Sequence, residues 1–180
     1  MTDNIVQTLK ECNAVRFGEF VLASGQKSNF YIDIKKASTD PKSLKIIARR
    51  IGEIVGNYAA QDPEKKIIIG GVELGGVPIA TAVSLETGFP LLIIRKTVKD
   101  YGTKSQYVGE MSPDAEIIMM EDVTTSGGSV KKAIETIRKD GGCVNRVIVI
   151  VDRESGAIES LKEIGVELIP LVRSGELVEE

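Results

Sequence analysis

Two adjacent carboxylates, Glu121 and Asp122, stand directly after the apolar run Ile117–Met120. Val123 separates them from six small or hydroxylated residues: Thr124, Thr125, Ser126, Gly127, Gly128 and Ser129. A helix-forming run, VKKAIETIRKD, comes next. The glycines let the backbone approach an anion closely. The unpaired amides and positive dipole end of the following helix favour a phosphate there. The hydroxyls of Thr124, Thr125, Ser126 and Ser129 add further donors. Carboxylates accept hydrogen bonds, so Glu121 and Asp122 suit sugar hydroxyls better than a second phosphate. The stretch therefore reads as a sugar-phosphate site. The plainer alternative is a strand-to-helix turn that only caps its helix. A cap needs one such residue, and six stand here in a row. Neither G-x-x-x-x-G-K-[ST] nor G-x-G-x-x-G is present.

Three further groupings carry chemistry. Gly70–Pro78, GGVELGGVP, follows the apolar Ile67–Ile69. Its glycines fit either a plain tight turn or backbone amides turned to an anion. Arg95, Lys96, Lys99 and Lys104 lie within ten residues of each other, in a chain of net charge −3. By composition alone that is a solvated basic loop. Beside two phosphate-type loops, it invites a substrate with several phosphates. Gly102, Thr103 and Ser105 make it a mobile flap, able to exclude water and lay positive charge on a departing group. Asp152 and Arg153 end another apolar run, as a surface charge pair or as part of a site.

The elements that must position these groups show as short β-rich runs: Ile67–Ile69, Leu91–Ile94, Ile117–Met120, Arg146–Val151 and Val166–Ile169. Helical patterns at Pro78–Leu85, Val130–Lys139 and Ser155–Ile164 alternate with them. Such alternation predicts an α/β fold, with a mostly parallel central sheet flanked by helices and ligands at the carboxyl ends of its strands. Before it come a helix over Asp3–Asn13, a β-like section over Glu19–Asp33 and a long helix over Lys42–Tyr58. At 180 residues, without linker-like composition or repeats, the chain is expected to form one domain: an N-terminal helix and hood segment over 1–40 and a core over 41–180.

Composition narrows the function. Histidine is absent, which removes His-based triads, His-containing zinc sites and any histidine acid/base step. The slight acidity argues against nucleic acid or an anionic membrane as main partner. Cys12 and Cys143 have no metal or redox spacing and are read as idle thiols in a reducing cytoplasm. No run of apolar residues is long enough to span a membrane.

The run from Ile117 to Ser129 closely resembles the phosphoribosyl pyrophosphate (PRPP) motif of type I phosphoribosyltransferases: four apolar residues, two acids, then a Thr- and Gly-rich loop. R-K-x-x-K-x-x-G at Arg95–Gly102 resembles the catalytic loop of the orotate-using branch. Ser24–Tyr31 resembles that branch's S-G-x-x-S-x-x-Y segment. The resemblance implies a type I phosphoribosyltransferase fold with a small N-terminal hood. It implies transfer of phosphoribose from PRPP to orotate, giving orotidine 5′-monophosphate and pyrophosphate.

By the same resemblance, Glu121 and Asp122 hold the ribose hydroxyls and Thr124 to Ser129 the 5′-phosphate, while Val123 and Tyr101 also belong to the PRPP site. Glu73, Leu74, Gly75 and Gly76 hold the pyrophosphate. Arg95, Lys96 and Lys99 neutralise it as it leaves, Lys99 with the largest rate effect. Thr125 and Arg153 contact orotate, between walls of Phe30 and Tyr31. Mg²⁺ is implied as cofactor, held mainly by substrate and water rather than by a protein cage. A homodimer is implied, with loop 95–109 reaching into the neighbouring active site. This chain departs from the pattern in three places: Tyr101 stands where the family has His, and Ala23 and Gly75 where many relatives have Lys. Lys27 is expected to compensate in part. Two other readings are a transferase for another base and a non-catalytic regulator that binds PRPP or nucleotide.

Overall fold

Residues 4–21, 27–97 and 105–178 are described by the structure, a computed structural model. Helix α1 (Ile5–Glu11) is capped by Asn4, whose Oδ1 accepts from the Gln7 amide at 3.2 Å. It leads into an antiparallel hairpin of β1 (Val15–Val21) and β2 (Lys27–Ile32). The hairpin begins earlier than the β-like section read from sequence. Helix α2 (Ile34–Thr39) was not foreseen: six residues with only Ile34, Ala37 and Ser38 buried carry too little periodicity to read. In α3 (Pro41–Gln61), Asp40 accepts from the Ser43 amide at 2.8 Å and Pro41 opens the first turn.

The remainder alternates: β3 (Lys66–Val72), α4 (Gly76–Thr87), β4 (Leu91–Ile94), β5 (Tyr107–Val108), β6 (Ala115–Thr124), α5 (Gly128–Lys139), β7 (Cys143–Asp152), α6 (Ala157–Lys162), β8 (Glu167–Arg173) and α7 (Ser174–Val178). All five apolar runs fall in strands or at their edges. The helix expected over Ser155–Ile164 is shorter. Gly156, at φ +95°, lies outside its first turn, and Gly165, at φ +70°, follows its end.

The six strands lie in the order β5-β4-β3-β6-β7-β8, parallel except for β4 with β5. Alternate residues feed two cores. Ile67, Ile69, Ile118, Met120, Ile148 and Ile150 pack with α3 and α4 on one face. Ile68, Ile117, Met119, Val147 and Val149 pack with α5 and α6 on the other. From β3 the chain moves outward to β4 through α4, then returns to the far side of β3 and proceeds through β6, β7 and β8. Right-handed crossovers running in opposite directions place their helices on opposite faces. The direction reverses between β3 and β6. In an open α/β sheet the crevice lies at such a switch point, beyond the carboxyl ends of the strands.

Candidate active site

The loops after β3 and β6 meet at that crevice. Glu121 and Asp122 lie inside β6, near its carboxyl end and not beyond it, and both line the same cleft. Asp122 is 7% exposed, and its Oδ1 accepts from the Val123 amide at 2.8 Å. Its carboxylate presses on Gly75, the residue before α4. A Cβ there would stand 2.7 Å from Oδ1, and nearer still to Oδ2 and Cγ. Position 75 thus lacks a side chain for a physical reason: the Asp122 carboxylate occupies the space. Glu121 lines the cleft. Burial, and then the hydrogen bond and charge of Asp122, push its carboxyl up to about 8, against a smaller pull from Lys96.

A cleft of ≈ 270 Å³ is bounded by Lys96 and residues 121–130. Gly127 adopts φ +76°, and a Cβ on it would meet Ala157 at 3.3 Å. No side chain caps α5, so the amides of its first turn face the cleft loop without a protein partner from a cap. Gly128 and Ser129 belong to that first turn, two residues before the helix read from sequence. Thr124 corrects an expectation. It is 3% exposed and its hydroxyl donates to Asp152 Oδ1 at 3.1 Å. The hydroxyls left for an anion are those of Thr125, Ser126 and Ser129. Val123 packs into the core, and its amide is taken by Asp122.

Glu73, assigned with Leu74, Gly75 and Gly76 to the pyrophosphate loop, uses its carboxylate within the protein. Its Oε1 accepts from the Lys96 amide at 2.8 Å, and its own amide donates to Ile94 O at 2.9 Å. It ties the glycine loop to the root of the basic loop. Leu74 is 73% exposed. The basic loop is fixed at both roots. Arg95 N donates to Gln106 O at 2.9 Å, and Gln106 Nε2 to Arg95 O at 2.7 Å. Lys99, Tyr101 and Lys104 lie outside the described residues, as does Ala23. Arg95 lines an adjoining cavity of ≈ 230 Å³ with Lys96, Gln106, Ser129 and Lys132. Lys132 was missed in the sequence. Helical spacing from Ser129 through Lys132 to Thr136 places it on the same face of α5.

Arg153 is half-buried at the end of β7, and its amide donates to Thr124 O at 2.9 Å. This fastens it to the residue preceding Thr125. Phe30 and Tyr31 are consecutive on β2, so their rings leave opposite faces of the hairpin and both cannot wall one base. Tyr31 stacks on Phe20, with ring centroids 5.6 Å apart. Lys27 is exposed at the start of β2 and is not among the residues that line the cleft.

Comparison with known proteins matches residues 37–169 to the phosphoribosyl transferase domain family. The orotate phosphoribosyltransferase of Methanosarcina mazei is 58% identical, over 97% of this chain and 90% of its own. That of Methanocaldococcus jannaschii is 53% identical, over 96% of this chain and 94% of its own. The crystal structure of orotate phosphoribosyltransferase from Aeropyrum pernix superposes with a TM-score of 0.77 at 31% identity, covering 97% of both chains.

Proposed function

The chain belongs to the phosphoribosyltransferase family, and on that premise we infer that it is an orotate phosphoribosyltransferase. It transfers the 5-phosphoribosyl group of PRPP to orotate, releasing pyrophosphate and forming orotidine 5′-monophosphate in pyrimidine biosynthesis. One observation of the site supports this most. A phosphate-type helix start, a half-buried Glu121 beside a buried Asp122, and an arginine tethered to the same loop lie at the carboxyl ends of β6 and β7.

The reaction is a displacement at the anomeric carbon. Orotate is a nucleophile once its ring nitrogen has lost its proton, so the chain, which has no histidine, needs no strong base. Its residues position the reactants and stabilise charge. The loop 125–129 holds the 5′-phosphate. Glu121 and Asp122 accept hydrogen bonds from the ribose hydroxyls. The amides of 74–76 face the pyrophosphate. Arg95, Lys96 and Lys99 offset its growing charge as it leaves. Arg153 takes the orotate carboxylate bidentately.

The acidic pair offers hard oxygen donors that would suit Mg²⁺. Most of the cation's ligands would be oxygens of PRPP and water, and when bound it would supply charge neutralisation at the pyrophosphate. A homodimer completes the reading. Phe17 and Val21, 62% and 74% exposed on the hairpin, are covered by a second copy whose loop 95–109 closes the neighbouring cleft. No described helix is long and apolar enough to cross a membrane. With two free cysteines, we place the protein in the cytoplasm.

The test is orotate absorbance in the presence of the protein, PRPP and Mg²⁺. Loss of orotate that requires both PRPP and Mg²⁺ is expected; no loss under any of these conditions overturns the reading.

A further inference from the structure

The turn that carries Arg153 is fastened on both sides by carboxylates that the reaction itself does not use. Asp152, 1% exposed, accepts through one oxygen both the Thr124 hydroxyl at 3.1 Å and the Glu154 amide at 3.2 Å. Between them the Arg153 amide donates to Thr124 O at 2.9 Å. Glu154 sits at φ +54°, a left-handed conformation that a non-glycine residue keeps only where its surroundings hold it. From there its Oε2 accepts from Gly175 N at 2.8 Å and Ser174 Oγ at 3.1 Å, at the start of α7.

We propose that Asp152 and Glu154 are positioning residues for Arg153, a clasp that fixes base recognition to the carboxyl-terminal helix. The proposal rests on the reading of Arg153 as the group that meets the orotate carboxylate.

Two features separate this from ordinary helix capping. First, α7 has its own carboxylate at that end: Glu176 Oε2 accepts from Arg173 N at 2.6 Å, so the turn into the helix closes without Glu154. Glu154 accepts from other donors, the Gly175 amide and the Ser174 hydroxyl, so its contact from a left-handed residue ties the turn that carries Arg153 to the first turn of α7. Second, a cavity of ≈ 190 Å³, lined in part by Asp152, Glu154, Gly156 and Arg173, lies beside the turn. A turn without its clasp has room to relax into that space. Such a shift moves a guanidinium by enough to spoil a two-point contact with a carboxylate, whose geometry is strict. The Glu154 carboxyl lies below the usual range, first through the Gly175 amide and then the Ser174 hydroxyl, so the clasp is closed at neutral pH.

The test compares E154A, which loses the acceptor, with E154Q, which keeps an oxygen at the same reach. E154G serves as a third variant, relieving the left-handed backbone while lacking the carboxylate. Steady-state kinetics against each substrate are the readout. E154A and E154G are expected to raise KM for orotate ~10-fold, about the effect of one lost hydrogen bond. KM for PRPP stays within about twofold, and E154Q stays near the wild type. Unchanged KM for orotate in E154A and E154G, or an equal rise for both substrates, overturns the clasp. A wild-type protein inert towards orotate overturns instead the reading it rests on, and the clasp with it. E154G guards against failure of E154A to fold, because glycine favours the observed φ.

Discussion

Replacing Gly75 with alanine adds one methyl group to the tightest contact at the site. Gly75 has φ −66° and ψ −36°, so alanine fits the backbone and only the side chain perturbs. Its Cβ would lie 2.7 Å from Asp122 Oδ1, and closer to the other carboxylate atoms, where ordinary contact begins at 3.4 Å. The carboxylate must retreat by ~1 Å. It cannot simply swing to solvent, because Asp122 is 7% exposed and hydrogen-bonded to the Val123 amide. Breaking that bond costs ~1–3 kcal/mol of stability. The effect on catalysis is larger in proportion. A group placed ~1 Å from its working position lowers the rate ~10²-fold. Asp122 is assigned to a ribose hydroxyl, so the loss falls on kcat/KM for PRPP. The assay measures kcat/KM for PRPP at saturating orotate, with urea unfolding of the same samples. G75A should be folded, ~1–3 kcal/mol less stable, and ~100-fold slower. A folded G75A with kcat/KM within about threefold of the wild type would refute the argument that Asp122 must occupy this position to act.

Other expectations follow from the same geometry. Glu121 is pushed up to about 8 in the folded protein from an ordinary 4.5. Between those values the folded state keeps a proton that the unfolded chain has lost, so stability falls as pH rises through this window. Urea unfolding at several pH values should show that slope, and E121Q should flatten it; an unchanged slope in E121Q would exclude Glu121 as its source. The ribose hydroxyls favour the ionised carboxylate, so PRPP binding should also release a proton near neutral pH, seen as a buffer-dependent binding enthalpy. At the opposite end of the sheet Glu116, 2% exposed, bridges Lys65 and Arg146 at 2.6 Å each. E116Q should lower stability by ~2 kcal/mol, since both partners are partly solvated, and leave KM for both substrates unchanged. E73A should raise KM for PRPP ~10-fold by freeing the Lys96 amide, while E73Q, which keeps an acceptor, should not.

How much of this was legible in the sequence follows from the range of the interactions. The strands of the central sheet could be read because parallel strands buried on both faces are continuous apolar runs, as Ile67–Ile69 and Ile117–Met120 are. The loop from Thr125 to Ser129 could be read because its chemistry is local: small residues, hydroxyls and a helix start in one stretch. What could not be read depends on distant partners. The contact of Gly75 with Asp122 joins the loop after β3 to strand β6, which are neighbours only in the fold. Thr124 looked like a phosphate donor until Asp152, far along the chain, took its hydroxyl. Asp152 could be read either as a surface charge or as part of a site, and only the fold shows it buried. Glu73 sat in an anion-type loop, yet its carboxylate serves the Lys96 amide. Helix α2 escaped because six residues give too few turns for a period to show.

This cleft is expected to join phosphoribose to orotate and to no other base. Pyrophosphate release should therefore be measured with PRPP and Mg²⁺ against orotate, uracil, adenine and hypoxanthine in turn. Release with orotate alone, abolished by R153A, is the predicted result. Equal release with uracil or a purine, or an R153A protein that still prefers orotate, would contradict it.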